Sequence, residues 1–361
     1  MKVVTIVGAR PEFIMTAPLS RALRARHTEL LIHTGQHYDD KMSAVFFEEF
    51  GIPQPDYNLH IGSGTHADQT GTMMMRLEPL LMGEQPDWVL VYGDTNSTLA
   101  GALCAAKLNI PVAHVEAGLR SFDRKMPEET NRVVVDHIST LLFAPTDIAV
   151  ANLQREGITA GVRQVGDVRV DVFRDVAGRV NIPSLLTMTG LTEGEPFALA
   201  TIHRPSNTDE PCRLRQIMDA LSRVPFPVVL PVHPRLRKAL DAAGLELPAQ
   251  VHGIEPVGFT QMAALLNACR VVITDSGGLQ KEAYLMRRPA ITLRDTTEWV
   301  ETVQSGWNRL SEPDASAFDA ALDQALAPAP ATHPAFYGEP GVSERICAEL
   351  EAIPQAILER V

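Results

Sequence analysis

The sequence predicts an α/β protein made of two Rossmann-like, doubly wound domains with a cleft between them. Three observations carry this expectation. Short β-branched runs alternate with longer amphipathic stretches, the order that gives a parallel sheet covered on both faces. The rhythm occurs twice, with a break between Val165 and Pro196 where Gly166, Gly178, Pro183, Gly190 and Gly194 cluster and strand signals are few. A chain of 361 residues, 45% of them hydrophobic, also suits two cores at roughly 100–200 residues per domain.

Taken in order, the first half offers strands at 2–7, 30–33, 88–92, 112–116 and 141–143. The first of these, Lys2-Val3-Val4-Thr5-Ile6-Val7, is an almost continuous β-branched run, as expected of a strand buried on both faces. Helices are expected at 14–24, 40–50, 68–81, 97–107 and 128–138. The second half offers strands at 198–202, 228–232, 250–252, 271–274 and 290–293, with helices at 211–222, 235–243, 261–268 and 279–286. Residues 328–340 are rich in Ala and Pro and read as a loop, and a final helix is expected over 343–360. In doubly wound sheets ligands bind beyond the carboxyl ends of the strands, so residues just after strands are the candidates for function.

Composition removes several classes. Acids outnumber bases 44 to 32, a formal charge of -12, and a field of that sign repels nucleic acid backbones. Cys104, Cys212, Cys269 and Cys347 lie far apart with no zinc spacing, which reads as free thiols in a reducing compartment. The β-branched N-terminus does not resemble a signal peptide, and no apolar run nears the roughly 20 residues needed to span a bilayer. The expected location is therefore the cytoplasm, with no membrane partner. There is no G-x-x-x-x-G-K-[ST], and Gly62-Ser63-Gly64 lacks a third glycine and a preceding strand. The layout is Rossmann-like without the dinucleotide fingerprint.

The strand ends carry the candidate chemistry. Thr274-Asp275-Ser276-Gly277-Gly278 joins a strand to a helix, where glycine N–H groups and the helix dipole suit an anion. The same stretch also fits a turn with Ser276 as N-cap. Glu282, one turn later, is placed to accept from ribose hydroxyls. Arg10, in Gly8-Ala9-Arg10-Pro11, offers a guanidinium fork for phosphate oxygens, or is a solvated loop residue. Asp94 follows strand 88–92 and fits an acid–base group or a helix cap. Glu116 closes an apolar strand, where partial burial would favour proton transfer. Glu128 and Glu129 open a helix after Pro127, as catalytic groups or as charges that compensate the dipole. His203 and His233 end two further strands. Each could contact a phosphate or bond to backbone.

These stretches, together with His114-Val115-Glu116-Ala117-Gly118-Leu119-Arg120, Pro127-Glu128-Glu129-Thr130-Asn131-Arg132 and Arg294-Asp295-Thr296-Thr297-Glu298, resemble the non-hydrolysing UDP-N-acetylglucosamine 2-epimerases over essentially the whole chain. The resemblance implies a GT-B-like fold, with an N-terminal domain over 1–168, a UDP-binding domain over 169–340, and a last helix, 341–361, packing back on the first domain. It implies a homodimer acting on a UDP-sugar with no cofactor and no metal. UDP leaves with the C2 proton to give a 2-acetamidoglucal, then adds back after protonation on the other face. By matching motif, Asp94, Glu116 and Glu128 are the implied catalytic carboxylates, and His203 the group assisting UDP. Arg10, His233, Ser276, Gly277, Gly278 and Glu282 are the implied UDP contacts, and Arg132 lies beside the sugar. The stretches around Gly93-Asp94-Thr95 and Trp299-Val300-Glu301 resemble the branch that includes UDP-2,3-diacetamido-2,3-dideoxyglucuronate 2-epimerases. Met15 and Ser206 stand where the family usually has Lys and Glu. The alternatives are a GT-B glycosyltransferase and a UDP-sugar binder that has lost catalysis.

Overall fold

The computed structural model describes residues 1–36, 47, 49–177 and 187–352. It divides the chain into two compact units. The first is Met1–Val172 with Ala335–Val361, and the second is Phe173–Pro334. The chain therefore leaves unit 1 once and returns to it.

Unit 1 holds a seven-stranded, all-parallel sheet in the order β3-β2-β1-β4-β5-β6-β7. Its strands are β1 (Lys2–Val7), β2 (Thr28–His33), β3 (Tyr57–Asn58), β4 (Trp88–Tyr92), β5 (Val112–Val115), β6 (Leu141–Ala144) and β7 (Val162–Gln164). Unit 2 holds a six-stranded parallel sheet in the order β10-β9-β8-β11-β12-β13. Its strands are β8 (Ala198–Thr201), β9 (Val228–Pro231), β10 (Val251–Ile254), β11 (Val271–Thr274), β12 (Ala290–Thr292) and β13 (Asn308–Leu310). In each sheet the first strand lies between the second and the fourth. Two topological switch points result, β1/β4 and β8/β11, and ligands bind at such points.

The central strands are hydrophobic on both faces because helices cover both. Trp88, Val89, Leu90, Val91 and Tyr92 are all fully buried, as are Val271, Val272 and Ile273. Each such apolar side chain contributes about 1.5–3 kcal/mol by leaving water. Helix α1 (Arg10–Arg24) starts at the end of β1, with Pro11 in its first turn, where the missing N–H costs nothing. Among the described residues, no helix is long and apolar enough to cross a membrane.

The structure adds elements that the sequence reading did not name. β3, β7 and β13 have only two or three residues each, and helices Asp147–Arg155, Arg169–Ala177 and Ala315–Leu326 are also new. Strand β5 stops at Val115, because Glu116 takes a left-handed backbone conformation, φ 70°. The expected helix 40–50 lies largely outside the described residues. The last helix is described over Val342–Ala352 and packs on α1.

Candidate active site

In unit 1 the functional candidates collect at the carboxyl ends of β1, β4 and β5. The loops there are in close contact. An added Cβ on Gly8 would lie 2.1 Å from both Ser97 Oγ and Thr34 Oγ1, so only glycine lets β1 end this near the β4 loop. Arg10, exposed, opens α1. Glu12, two residues on, is 1% exposed. Its carboxylate accepts from Gly8 N–H at 2.6 Å, Ala9 N–H at 2.8 Å and the Thr95 hydroxyl at 2.6 Å. Burial pushes the Glu12 carboxyl up to about 7, against the pull of these donors.

Asp94 follows the left-handed Gly93 and is half-buried. It pairs with the Arg132 guanidinium, whose other arm reaches Glu129 at 2.9 Å. Thr95, not Asp94, caps the next helix, accepting from Ser97 and Thr98 N–H. This leaves the Asp94 carboxylate to the site. Glu116 Oε2 would be 3.6 Å from a Cβ on Gly93, beside Asp94, and Glu116 Oε1 is 3.4 Å from Arg169 Nη1. A non-glycine residue with positive φ stores strain, and such residues cluster at functional sites.

Of the two helix-opening acids, Glu129 is buried and Glu128 is exposed. Glu129 accepts from Ser121 N–H and Phe122 N–H, each at 2.9 Å, and from Arg132. Burial would raise its carboxyl, but these donors hold it below the ordinary range. Glu129 thus fixes the 121–122 loop and Arg132, while Glu128 keeps an open carboxylate in the first turn. Arg132 is accordingly a bridge between two carboxylates, a role that spacing alone did not show. Beneath them, buried His114 holds the Gly93 carbonyl at 2.8 Å through Nε2 and Asp136 at 2.7 Å through Nδ1. Asp136 also binds Arg120 at 2.7 Å. Met15 is 1% exposed on α1.

In unit 2 a cavity of about 290 Å³ opens at the β8/β11 switch point, lined by His203, His233, Ser276, Gly278 and Glu282. Residues from four strand ends, those of β8, β9, β10 and β11, meet there with the start of one helix. Asp275, fully buried, organises one wall. Its carboxylate accepts from His203 N–H at 3.0 Å, Arg204 N–H at 2.9 Å and Asn207 Nδ2 at 3.1 Å, and meets His203 Nδ1 at 3.0 Å. Burial would raise the Asp275 carboxyl; the His203 contact and the N–H donors hold it below its ordinary value. With Nδ1 committed to Asp275, His203 presents Nε2 for proton exchange, the arrangement by which a carboxylate orients a catalytic imidazole. His233 caps the helix Pro234–Ala243, its Nδ1 accepting from Arg235 N–H at 3.2 Å. That leaves Nε2–H as a donor.

The helix Gly277–Leu285 begins at the cavity, with Ser276 as its N-cap. A Cβ on Gly277 would meet Glu298 Oε1 at 2.2 Å, so the glycine admits the Glu298 carboxylate beside the helix N-terminus. Sequence reasoning assigned no site role to Asp275 or Glu12, and it offered Glu129 only alongside Glu128, as a catalytic group or a charge that compensates the dipole. Asp275 and Glu129 lie inside stretches singled out for their neighbours, Glu12 lies just past Gly8-Ala9-Arg10-Pro11, and all three are buried.

Comparison with known proteins agrees over nearly the full length. Residues 21–351 match the family model described as UDP-N-acetylglucosamine 2-epimerase. A UDP-N-acetylglucosamine 2-epimerase homolog of Methanococcus maripaludis is 51% identical, over 86% of this chain and 88% of its own. The UDP-2,3-diacetamido-2,3-dideoxy-D-glucuronate 2-epimerase of Pseudomonas aeruginosa is 50% identical over the same shares. The solved structure of the UDP-GlcNAc 2-epimerase of Methanocaldococcus jannaschii superposes with a TM-score of 0.90 at 40% identity, covering 97% of this chain and 99% of that one. The same enzyme solved in complex with UDP-GlcNAc and UDP gives a TM-score of 0.80 at 41% identity.

Proposed function

This chain belongs to the UDP-N-acetylglucosamine 2-epimerase family, and we propose how its own residues carry out the C2 epimerisation of a UDP-2-acetamido sugar. The observation that carries the reading is the unit 2 cavity, where His203 oriented by Asp275 stands with His233, Ser276, Gly278 and Glu282. In it the diphosphate rests on the N–H groups at the start of Gly277–Leu285, where the dipole favours negative charge. His233 Nε2–H donates to a phosphate oxygen, and Glu282 accepts from the ribose hydroxyls. Arg10 is a further UDP contact, its guanidinium suited to phosphate oxygens.

The chemistry then follows from charge. One carboxylate removes the C2 proton. The electron pair of the C2–H bond becomes the C1=C2 double bond. The C1–O bond to UDP breaks, and its pair stays on the phosphate oxygen, which His203 Nε2 supports. For return, the phosphate oxygen bonds to C1 while a second carboxylate delivers a proton to C2 from the opposite face. Asp94, Glu116 and Glu128 divide these duties. Arg132 holds Asp94 in place, and the left-handed turn at Glu116 fixes that carboxylate beside Gly93. Electrons balance without an external oxidant.

The relatives are named for two sugars. The reading favours the 2,3-diacetamido uronic acid on the resemblance around Asp94 and Trp299, since relatives named for the two sugars are nearly equally identical, 51% and 50%. The test is to incubate the full chain with UDP-N-acetylglucosamine and, separately, with UDP-2,3-diacetamido-2,3-dideoxyglucuronate, and follow the epimers by NMR. Preferred turnover of the uronate is expected. Preferred turnover of UDP-N-acetylglucosamine overturns the substrate choice, and turnover of neither overturns the reaction. We further propose a cytoplasmic homodimer. Light scattering should give twice the 39.4 kDa chain mass, and a mass of one chain would contradict it.

A further inference from the structure

We propose that Glu12 is a positioning residue that locks the loop carrying Arg10 to the loop carrying Asp94, a role resting on the reading of Asp94 as a proton-transfer carboxylate. Glu12 sits in the first turn of α1, yet it does more than cap that helix. Its Oε2 gathers two backbone N–H groups from the loop after β1, at 2.6 and 2.8 Å. Its Oε1 takes the hydroxyl of Thr95, the residue after Asp94, at 2.6 Å. The carboxylate therefore spans the switch point between the two central strands, side by side in the sheet.

Counting protons shows that the link depends on the carboxylate form. The Thr98 hydroxyl, 3.1 Å from Glu12, has one proton, and the Tyr92 carbonyl at 2.5 Å takes it. The Thr95 hydroxyl has one proton and gives it to Glu12. Both Thr95 Oγ1 lone pairs face the Ser97 and Thr98 N–H groups. The two loop N–H groups can only donate. Three donors thus converge on one buried side chain that can accept at both oxygens, and Lys, Arg and His form no ion pair with it among the described residues. An amide accepts at one oxygen only, so glutamine keeps one side of the lock. Alanine keeps neither and leaves buried donors unpaired, which is costly. A simple N-cap would need only the Gly8–Ala9 side.

The position matters because Asp94 must stand within reach of C2, and a misplacement of about 1 Å can cost on the order of 100-fold in rate. The test uses the full chain, wild type, Glu12→Gln and Glu12→Ala. It measures kcat and KM on the UDP-sugar that the wild type turns over, UDP affinity by calorimetry, and hydrogen–deuterium exchange of residues 93–98 without ligand. The expected result is a kcat at least tenfold lower in Glu12→Ala and intermediate in Glu12→Gln. UDP affinity falls by less than kcat does, and exchange in 93–98 is faster in the order Ala, Gln, wild type. A folded Glu12→Ala protein with wild-type kcat or unchanged exchange in 93–98 overturns the proposal, as does a loss of UDP affinity equal to the loss of kcat. If the wild type turns over neither sugar, the functional reading fails alone and the exchange ranking still decides whether Glu12 couples the loops. If Glu12→Ala does not fold, Glu12→Gln carries the same comparison against the wild type.

Discussion

Replacing Asp275 by Asn tests the His203 assignment most sharply. Asp275 is fully buried, and its two oxygens meet four donors: His203 N–H, Arg204 N–H, Asn207 Nδ2 and His203 Nδ1. Asparagine has nearly the same shape but a single acceptor oxygen. The best orientation keeps that oxygen toward Arg204 and Asn207 and turns the amide NH2 toward His203 Nδ1. Nδ1 must then accept, so the proton moves to Nε2. The imidazole can still donate to a phosphate oxygen but no longer cycles a proton through Nε2, the tautomer error that makes such substitutions damaging in other catalytic imidazoles. Losing one charge-assisted contact costs about 1.5–3 kcal/mol, which corresponds to roughly 10- to 150-fold in kcat. UDP affinity should change by less than threefold, because the Nε2–H donor remains. Steady-state epimerisation and UDP calorimetry on the same preparation give both numbers. A kcat within threefold of wild type, or a fall in UDP affinity as large as the fall in kcat, would overturn the assignment.

Other substitutions probe separate parts of the site. Asp94→Asn, Glu116→Gln and Glu128→Gln should each abolish C2 proton exchange while leaving UDP binding by calorimetry intact, and full exchange in all three would remove the site assignment. Gly8→Ala should lower stability by about 1–3 kcal/mol in urea unfolding, because its Cβ would overlap Ser97 and Thr34. By contrast, Gly277→Ala meets the end of a half-exposed Glu298 side chain, with Arg204 Nη2 in ordinary contact at 3.9 Å. It should leave the melting temperature nearly unchanged yet weaken UDP binding, and unweakened binding would move the diphosphate elsewhere. Glu12 gives a pH test of defined sign. Its folded carboxyl lies at about 7, above the ordinary value of 4.5, so between those values the folded state binds more protons and stability falls as pH rises. The stability of wild type relative to Glu12→Gln should therefore decline from pH 5 to pH 8. The decline is at most about 3 kcal/mol, since each tenfold change in proton affinity is worth about 1.36 kcal/mol. An opposite slope would contradict the burial.

Much of the fold was legible because its signals are local and repeated. The β-branched runs at Val3–Val7 and Val271–Ile273 read as doubly covered strands, and the alternation with amphipathic stretches sets the parallel order. The two- and three-residue edge strands β3, β7 and β13 carry too little pattern to be read, since pairing with a neighbour defines them rather than propensity. In the site, the strand-end rule brought attention to His203, His233 and Ser276, which line one cavity. Burial separates residues that sequence presents as equals. Glu128 and Glu129 are adjacent acids in one helix turn, but one is exposed and the other holds Ser121, Phe122 and Arg132. Asp275 looks like a turn residue until its four donors are seen. Glu12, just past Arg10-Pro11, drew no reading from the sequence, and the approach of Thr95, 83 residues away, shows a link between loops.

In the proposed reaction one carbon-bound hydrogen leaves and a proton returns from the other side of the sugar. Proton NMR of the wild-type reaction in heavy water measures this directly. The C2 proton signal should disappear from both epimers as they equilibrate, with the UDP-sugar otherwise intact. An epimerised product that keeps its original C2 proton would contradict the mechanism.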